Sequence, residues 1–148
     1  MSNTSPRFTI SGERQPLQGK FDAQAQRLLE ATDARYVVLG SADGLVLGRD
    51  ANAGRDSSEG GAALGSSVFG AMQALAELFP ASDDPQTAGQ ITTELHGGGG
   101  GYIVLAVVGP EVRAVLWLSA GADLGKVSYE VVKFSQWFAP EVAGRAQA

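Results

Sequence analysis

The longest patterned run of hydrophobic residues in this chain extends from Glu59 to Phe79. Apolar residues recur there at steps of three and four, at Leu64, Val68, Met72, Leu75 and Phe79. Ala71 and Leu78 lie on the same side of the predicted helix. At 100° per residue these positions fall within an arc of roughly 120°. The pattern predicts an amphipathic helix that buries this apolar stripe in the core of its own domain.

The other sides of the predicted helix carry a row of small residues and one phenylalanine. The small residues would let another backbone approach closely, and they are Ala63, Ser67, Gly70 and Ala74. Phe69 lies about 120° from the centre of the apolar stripe, among polar residues. We therefore predict a partner-binding surface at Phe69, Gln73, Ala76 and Glu77, although single exposed apolar residues are also normal on soluble proteins. Gly61, Gly65 and Gly70 each cost about 1 kcal/mol of helix propensity relative to alanine, which predicts compensating close packing.

Shorter patterned segments surround this helix. The apolar residues from Phe21 to Thr32 have helical spacing. A hairpin is predicted next, with strands at Arg35–Gly40 and Leu45–Gly48 joined by a turn at Asp43-Gly44. The long helix has candidate N-caps in Ser57 and Ser58. After the loop at 81–89, three strands are predicted at Gln90–His96, Tyr102–Val108 and Val112–Leu118. A last helix follows them, capped by Asp123 and ended by Pro140.

These elements predict one α+β domain at residues 20–139, between a flexible lead-in at 1–19 and a tail at 140–148. The order α-β-β-α-β-β-β-α indicates a five-stranded, largely antiparallel sheet with helices on both faces. Gln90–His96 alternates polar and apolar residues, as an edge strand does, and exposed edges invite pairing with another chain. An isologous dimer is therefore expected, through the small residues of the long helix and through Ile91, Thr92, Thr93 and Glu94.

Composition excludes several classes of function. The chain has 148 residues, no cysteine, a single histidine and a formal net charge of −5, with its basic residues scattered. We therefore expect no thiol or multi-histidine metal site, no cofactor and no broad nucleic-acid binding. No apolar run reaches the roughly 18 residues of a membrane span, and the N-terminus has no apolar signal core, so a soluble cytoplasmic protein is predicted.

Candidate catalytic and phosphate-binding motifs all have simpler interpretations. The glycines at 97–101 precede a strand, whereas phosphate-binding loops lead into a helix N-terminus. His96 has no serine in a nucleophile-elbow pattern, and Asp83-Asp84 lies in a charged loop. An arginine such as Arg49 or Arg55 could act on a partner's phosphate, but nothing around either marks it for that role. The sequence thus predicts no catalytic residues of its own, and protein partners rather than substrates.

Several of these segments resemble the Roadblock (dynein light chain) family. The segment Ala34–Gly48 is similar to the first hairpin of that family, with a Ser-x-Asp-Gly turn. The small-residue helix 62–79, the strands within 101–118 and Ala122–Glu130 at the start of the last helix resemble the rest of the domain. The resemblance covers about residues 21–138.

The resemblance implies a homodimer in which the long helix and an edge strand meet their symmetry mates. MglB-like bacterial members of the family act on a Ras-like small GTPase, as activating or scaffolding partners that supply no arginine. A non-catalytic regulator of such a GTPase is therefore the leading expectation. A small-ligand sensor of PAS- or profilin-like architecture and a purely structural adaptor are the alternatives.

Overall fold

The computed structural model describes residues 11–79 and 89–147. Its elements follow the predicted order of helices and strands, which confirms the predicted fold class. They are α1 (Ser11–Thr32), β1 (Tyr36–Ser41), β2 (Val46–Arg49), α2 (Arg55–Leu78), β3 (Gln90–Glu94), β4 (Tyr102–Gly109), β5 (Val112–Leu118) and α3 (Leu124–Gln147).

The five strands form one sheet in the order β2-β1-β5-β4-β3, and each neighbouring pair is antiparallel. β3 is an edge strand, as its alternating pattern predicts. Gly44, at the tip of the β1–β2 hairpin, has a φ of +89°, a conformation that glycine adopts without steric cost. The predicted Asp-Gly turn is therefore confirmed.

The two faces of the sheet are covered unequally. α1 and α3 cover one face and enclose the larger core, which includes Phe21, Leu28, Leu116, Phe134 and Phe138. α2 covers the other face mainly over β1, β2 and β5. As a result, the smaller core beneath α2 leaves the outer part of this face, on β4 and β3, only partly covered.

The β1–β2 hairpin is held against α1 by close backbone contact and by one carboxylate, and a second carboxylate ties its own strands together. A Cβ atom added to Gly48 would lie 2.4 Å from the carbonyl carbon of Phe21, so only glycine fits between β2 and α1. Asp22 accepts a hydrogen bond from the N–H of Arg49 at 3.0 Å. Buried Asp50 accepts bonds from the N–H groups of Val37 and Asn52, at 2.6 and 2.7 Å. These bonds satisfy backbone donors that the hairpin leaves without strand partners.

The ends of the helices differ from the predictions. α1 begins at Ser11, so residues 11–19 are helical rather than a flexible lead-in, in keeping with good helix formers such as Glu13 and Gln15. α2 begins at Arg55 with Gly54 as its N-cap, so Ser57 and Ser58 lie inside the helix and do not cap it. α3 continues through Pro140 to Gln147, so the prediction that Pro140 ends the helix is wrong. Asp123 does cap α3, by accepting a bond from the N–H of Lys126 at 3.1 Å.

Candidate functional site

α2 presents a different side to the sheet from the one its apolar stripe predicts. Its buried residues are Ser58, Ala62, Gly65 and Phe69. Phe69 is only 6% exposed and packs against Leu105 and Val115, with the Arg113 guanidinium 5.5 Å from its ring centroid. The prediction that Phe69 is a partner-binding residue is therefore wrong, since its ring forms the domain's own core.

Two glycines explain this orientation. A Cβ atom on Gly61 would lie 2.7 Å from Cη2 of Trp117, and one on Gly65 would lie 2.9 Å from Cγ2 of Val115. The helix therefore approaches the sheet along its glycine side, and the close packing inferred from helix propensity is confirmed at these two positions. Within the described part of the chain, no other segment lies within 4 Å of a Cβ atom added to Gly70, so close packing there stays a prediction about contact with a partner.

The apolar stripe of α2 is exposed rather than buried in the domain. Its large side chains are between 40% exposed, at Met72, and 79% exposed, at Phe79. The other exposed members are Leu64, Val68, Leu75 and Leu78. At 100° per residue the stripe lies roughly 110° from Phe69, on the flank shared with Gly61 and Gly65. That flank faces β5 and β4, where Ile103, Val107 and Trp117 are only partly buried. Helix and sheet thus present adjoining apolar surfaces, and β3 forms the border of the sheet surface.

The row of small residues lies on the opposite flank of α2. Ala63, Ser67, Gly70 and Ala74 are all exposed, roughly 130° from Phe69 in the other direction. This flank faces the β1–β2 turn, because the hydroxyl of Ser66 donates a hydrogen bond to the carbonyl of Ala42 at 2.6 Å. The predicted self-contact residues therefore do not form one surface, since β3 lies at the far edge of the sheet.

The remaining predicted interaction residues are accessible. On β3, Ile91 is half-buried and Thr92, Thr93 and Glu94 are exposed. On α2, Gln73 is half-buried, and Ala76 and Glu77 are exposed. Both sets are available to a macromolecular partner.

Few of the described side chains are arranged as a catalytic or metal-binding site would require. Among them, no group of three or more His, Asp or Glu side chains could hold a metal ion. His96 lies 3.9 Å from the Glu94 carboxylate, and both side chains are exposed. The pKa of Lys126 is raised, first by its hydrogen bond to Asp33 and then by the charge of that carboxylate. The candidate residues Asp83 and Asp84 lie outside the described ranges.

No helix within the described ranges has the length and apolar content to cross a membrane.

A Phe69→Ala substitution tests the orientation of α2. We expect it to lower the free energy of unfolding by about 3 kcal/mol or more, because it removes a buried ring and leaves a cavity above the sheet. Urea denaturation followed by circular dichroism measures this loss. The matched variant Val68→Ala, at an exposed neighbouring position, should cost much less at a protein concentration where the chain is monomeric. Equal losses for both variants would contradict the observed orientation.

A comparison with protein-family models matches residues 20–116 to the Roadblock/LC7 domain. The chain belongs to the Roadblock/LC7 family. No curated protein sequence matches it significantly. Solved structures of Roadblock/LC7 domains nonetheless have the same fold as this chain. A Roadblock/LC7 domain from Streptomyces avermitilis is 21% identical with a TM-score of 0.71, and the match covers 82% of this chain and 97% of that one.

Two solved MglB proteins share this Roadblock/LC7 fold. Myxococcus xanthus MglB is 21% identical with a TM-score of 0.67, over 84% of this chain and 96% of that one. The gliding protein MglB of Thermus thermophilus is 22% identical with a TM-score of 0.66, over 96% and 97%. At these identities the likeness establishes a common fold.

Proposed function

We propose that this protein is a non-catalytic, homodimeric regulator of a Ras-like small GTPase, acting as an activating or scaffolding partner. Membership of the Roadblock/LC7 family and the MglB-like fold support the proposal. The observation that carries it is the exposed apolar stripe of α2, because five large apolar side chains on one helix, followed by exposed Phe79, are unusual on the surface of a monomer.

The second copy is assigned to the apolar stripe and the β3 edge. The stripe adjoins the partly covered face of β4 and β3, so an isologous contact would bury helix and sheet surfaces together. β3 would pair with its symmetry mate through Ile91, Thr92, Thr93 and Glu94, which removes an exposed edge. The row of small residues lies outside this contact, because most of the exposed apolar area is on the other flank of α2.

The GTPase is assigned to the outer surface of α2. That surface comprises Glu77 and the small residues Ala63, Ser67, Gly70 and Ala74, with half-buried Gln73 at its border. Ala76 is exposed but lies only about 20° from Phe69 around the helix, on the side that faces the sheet. Small side chains let a partner's backbone approach the helix closely. The surface stays exposed when the apolar stripe is covered, because the two lie on different flanks of α2.

The variants Gln73→Arg and Glu77→Lys test this surface. Each should weaken binding to a Ras-like GTPase from the same genome, loaded with GTP, by about tenfold or more, because a bulky or reversed charge would enter the contact. Isothermal titration calorimetry measures the affinity, and sedimentation checks that each variant has the mass of the wild type. Glu30→Arg, on α1 and across the sheet, is the matched control and should bind normally.

Rates of GTP hydrolysis separate activation from tethering. An activator accelerates hydrolysis by the bound GTPase, whereas a structural adaptor binds it without changing the rate. Wild-type protein that binds no Ras-like GTPase from its genome, or Gln73→Arg and Glu77→Lys variants that bind as tightly as the wild type, would contradict the proposal.

A further inference from the structure

A cavity between α1 and α3 lies on the face of the sheet opposite α2. It encloses about 280 Å³, and its most buried lining residues are Leu28 and Phe134. Ala31 and Trp137 also line it, and Trp137 is 43% exposed. Self-association through α2 and β3 and docking on the outer surface of α2 would leave this cavity open, so it is independent of the proposed GTPase contact.

Arg27 stands at the rim of the cavity with its donors available. Its guanidinium carbon lies 4.8 Å from the ring centroid of Trp137. Within residues 11–79 and 89–147, no hydrogen bond or ion pair engages its N–H groups. A guanidinium stacked on an aromatic ring keeps its donors in one plane, where a carboxylate can accept two of them side by side.

The other charges around the cavity largely offset each other. Lys133 lies 3.7 Å from the Glu130 carboxylate, and both side chains line the cavity. Lys133 also lies 5.5 Å from the ring centroid of Tyr129. The three charged lining residues therefore leave a net positive charge, with Arg27 as its source.

From these contacts we infer that the cavity binds a peptide segment of another protein in which a bulky apolar side chain lies next to Asp or Glu. The apolar side chain would contact Leu28, Phe134 and Trp137, and the neighbouring carboxylate would accept hydrogen bonds from Arg27. The volume lies just below the roughly 300–1,000 Å³ of typical small-molecule sites, which suits one large side chain. The apolar floor and cationic rim together favour this chemistry over a purely apolar or a purely charged ligand.

The test uses a pair of blocked tripeptides, N-acetylated and C-amidated, with the sequences Asp-Phe-Asp and Asn-Phe-Asn. Binding is followed by ¹H–¹⁵N spectra through the indole N–H signal of Trp137, identified as the signal that Trp137→Phe removes. We expect a saturable shift with Asp-Phe-Asp, and at least about fivefold weaker binding of the neutral peptide, because a charged hydrogen bond is lost at a partly exposed site. Arg27→Gln should weaken Asp-Phe-Asp binding by a similar factor.

Arg55→Gln is the matched control, because Arg55 lies on α2 and its side chain is 80% exposed. It should leave peptide binding unchanged, and thermal melting checks that both variants are folded. The inference is overturned if Asp-Phe-Asp produces no saturable shift, if the neutral peptide binds equally well, or if Arg27→Gln has no effect. Tighter binding of 3-phenylpropionate than of the peptide would also overturn it, since the site would then be a small-molecule pocket.

Discussion

A Gly48→Ala variant is expected to lose about 3 kcal/mol or more of its free energy of unfolding, because overpacking against backbone cannot be relieved by a side-chain rotation. The added methyl group would lie 2.4 Å from the carbonyl carbon and 2.6 Å from the carbonyl oxygen of Phe21. α1 would have to move away from β2, which would loosen the packing of Phe21, Ala25 and Leu28, all buried in the larger core. Chemical denaturation at one protein concentration measures the loss.

Gly60→Ala is the matched control for this substitution. Gly60 lies inside α2, and an added Cβ atom would meet nothing within 4 Å. Alanine there should stabilise the chain by about 0.5–1 kcal/mol, because glycine in a helix loses more backbone entropy on folding. Equal effects of the two substitutions would contradict the close approach of α1 to β2.

A Leu75→Glu variant should convert the proposed dimer to single chains. Leu75 is 57% exposed, so the substitution leaves the fold of one chain intact, but the dimer would bury an unpaired carboxylate. That burial costs several kcal/mol per ion, which corresponds to at least about hundredfold weaker association. Sedimentation equilibrium over a range of concentrations measures the change.

Ala74→Glu is the matched control, because Ala74 precedes Leu75 and lies in the row of small residues on the other flank of α2. Its dimer should have the wild-type stability. If Ala74→Glu dissociates the dimer and Leu75→Glu does not, the self-contact lies on the row of small residues, as the sequence pattern alone predicts, and the assignment drawn from exposure is wrong.

Local signals in the sequence were sufficient for most of the fold. The Asp43-Gly44 turn was predictable because the hairpin needs a positive φ there, and Gly44 adopts one. The alternation of β3 indicated that one of its faces meets solvent, as the sparsely covered edge of this sheet requires, although inner strands of an antiparallel sheet with one open face alternate too. The cap of α3 by Asp123 is likewise a property of a few neighbouring residues.

The orientation of α2 was not predictable in the same way. Periodicity gives the direction of an apolar stripe around a helix, but it does not say whether that stripe meets the chain's own sheet or another chain. The deciding contacts join Gly61 to Trp117 and Gly65 to Val115, more than 45 residues apart in the sequence. A possible signal was the pair of glycines four residues apart on the side of Phe69, which marks the flank of closest approach.

The cavity between α1 and α3 is a long-range feature as well. Arg27 and Trp137 stand in different helices at opposite ends of the domain sequence, and only the packing of α1 on α3 brings them together. No motif in either helix signals this contact.

The mass of the wild-type protein in solution tests the central assignment most directly. Sedimentation equilibrium at micromolar concentrations should give twice the 15.3 kDa of one chain, because in the proposed dimer a second copy would cover the exposed stripe of α2 and the β3 edge. A mass of 15.3 kDa at every concentration, with no tendency to rise, would contradict the account.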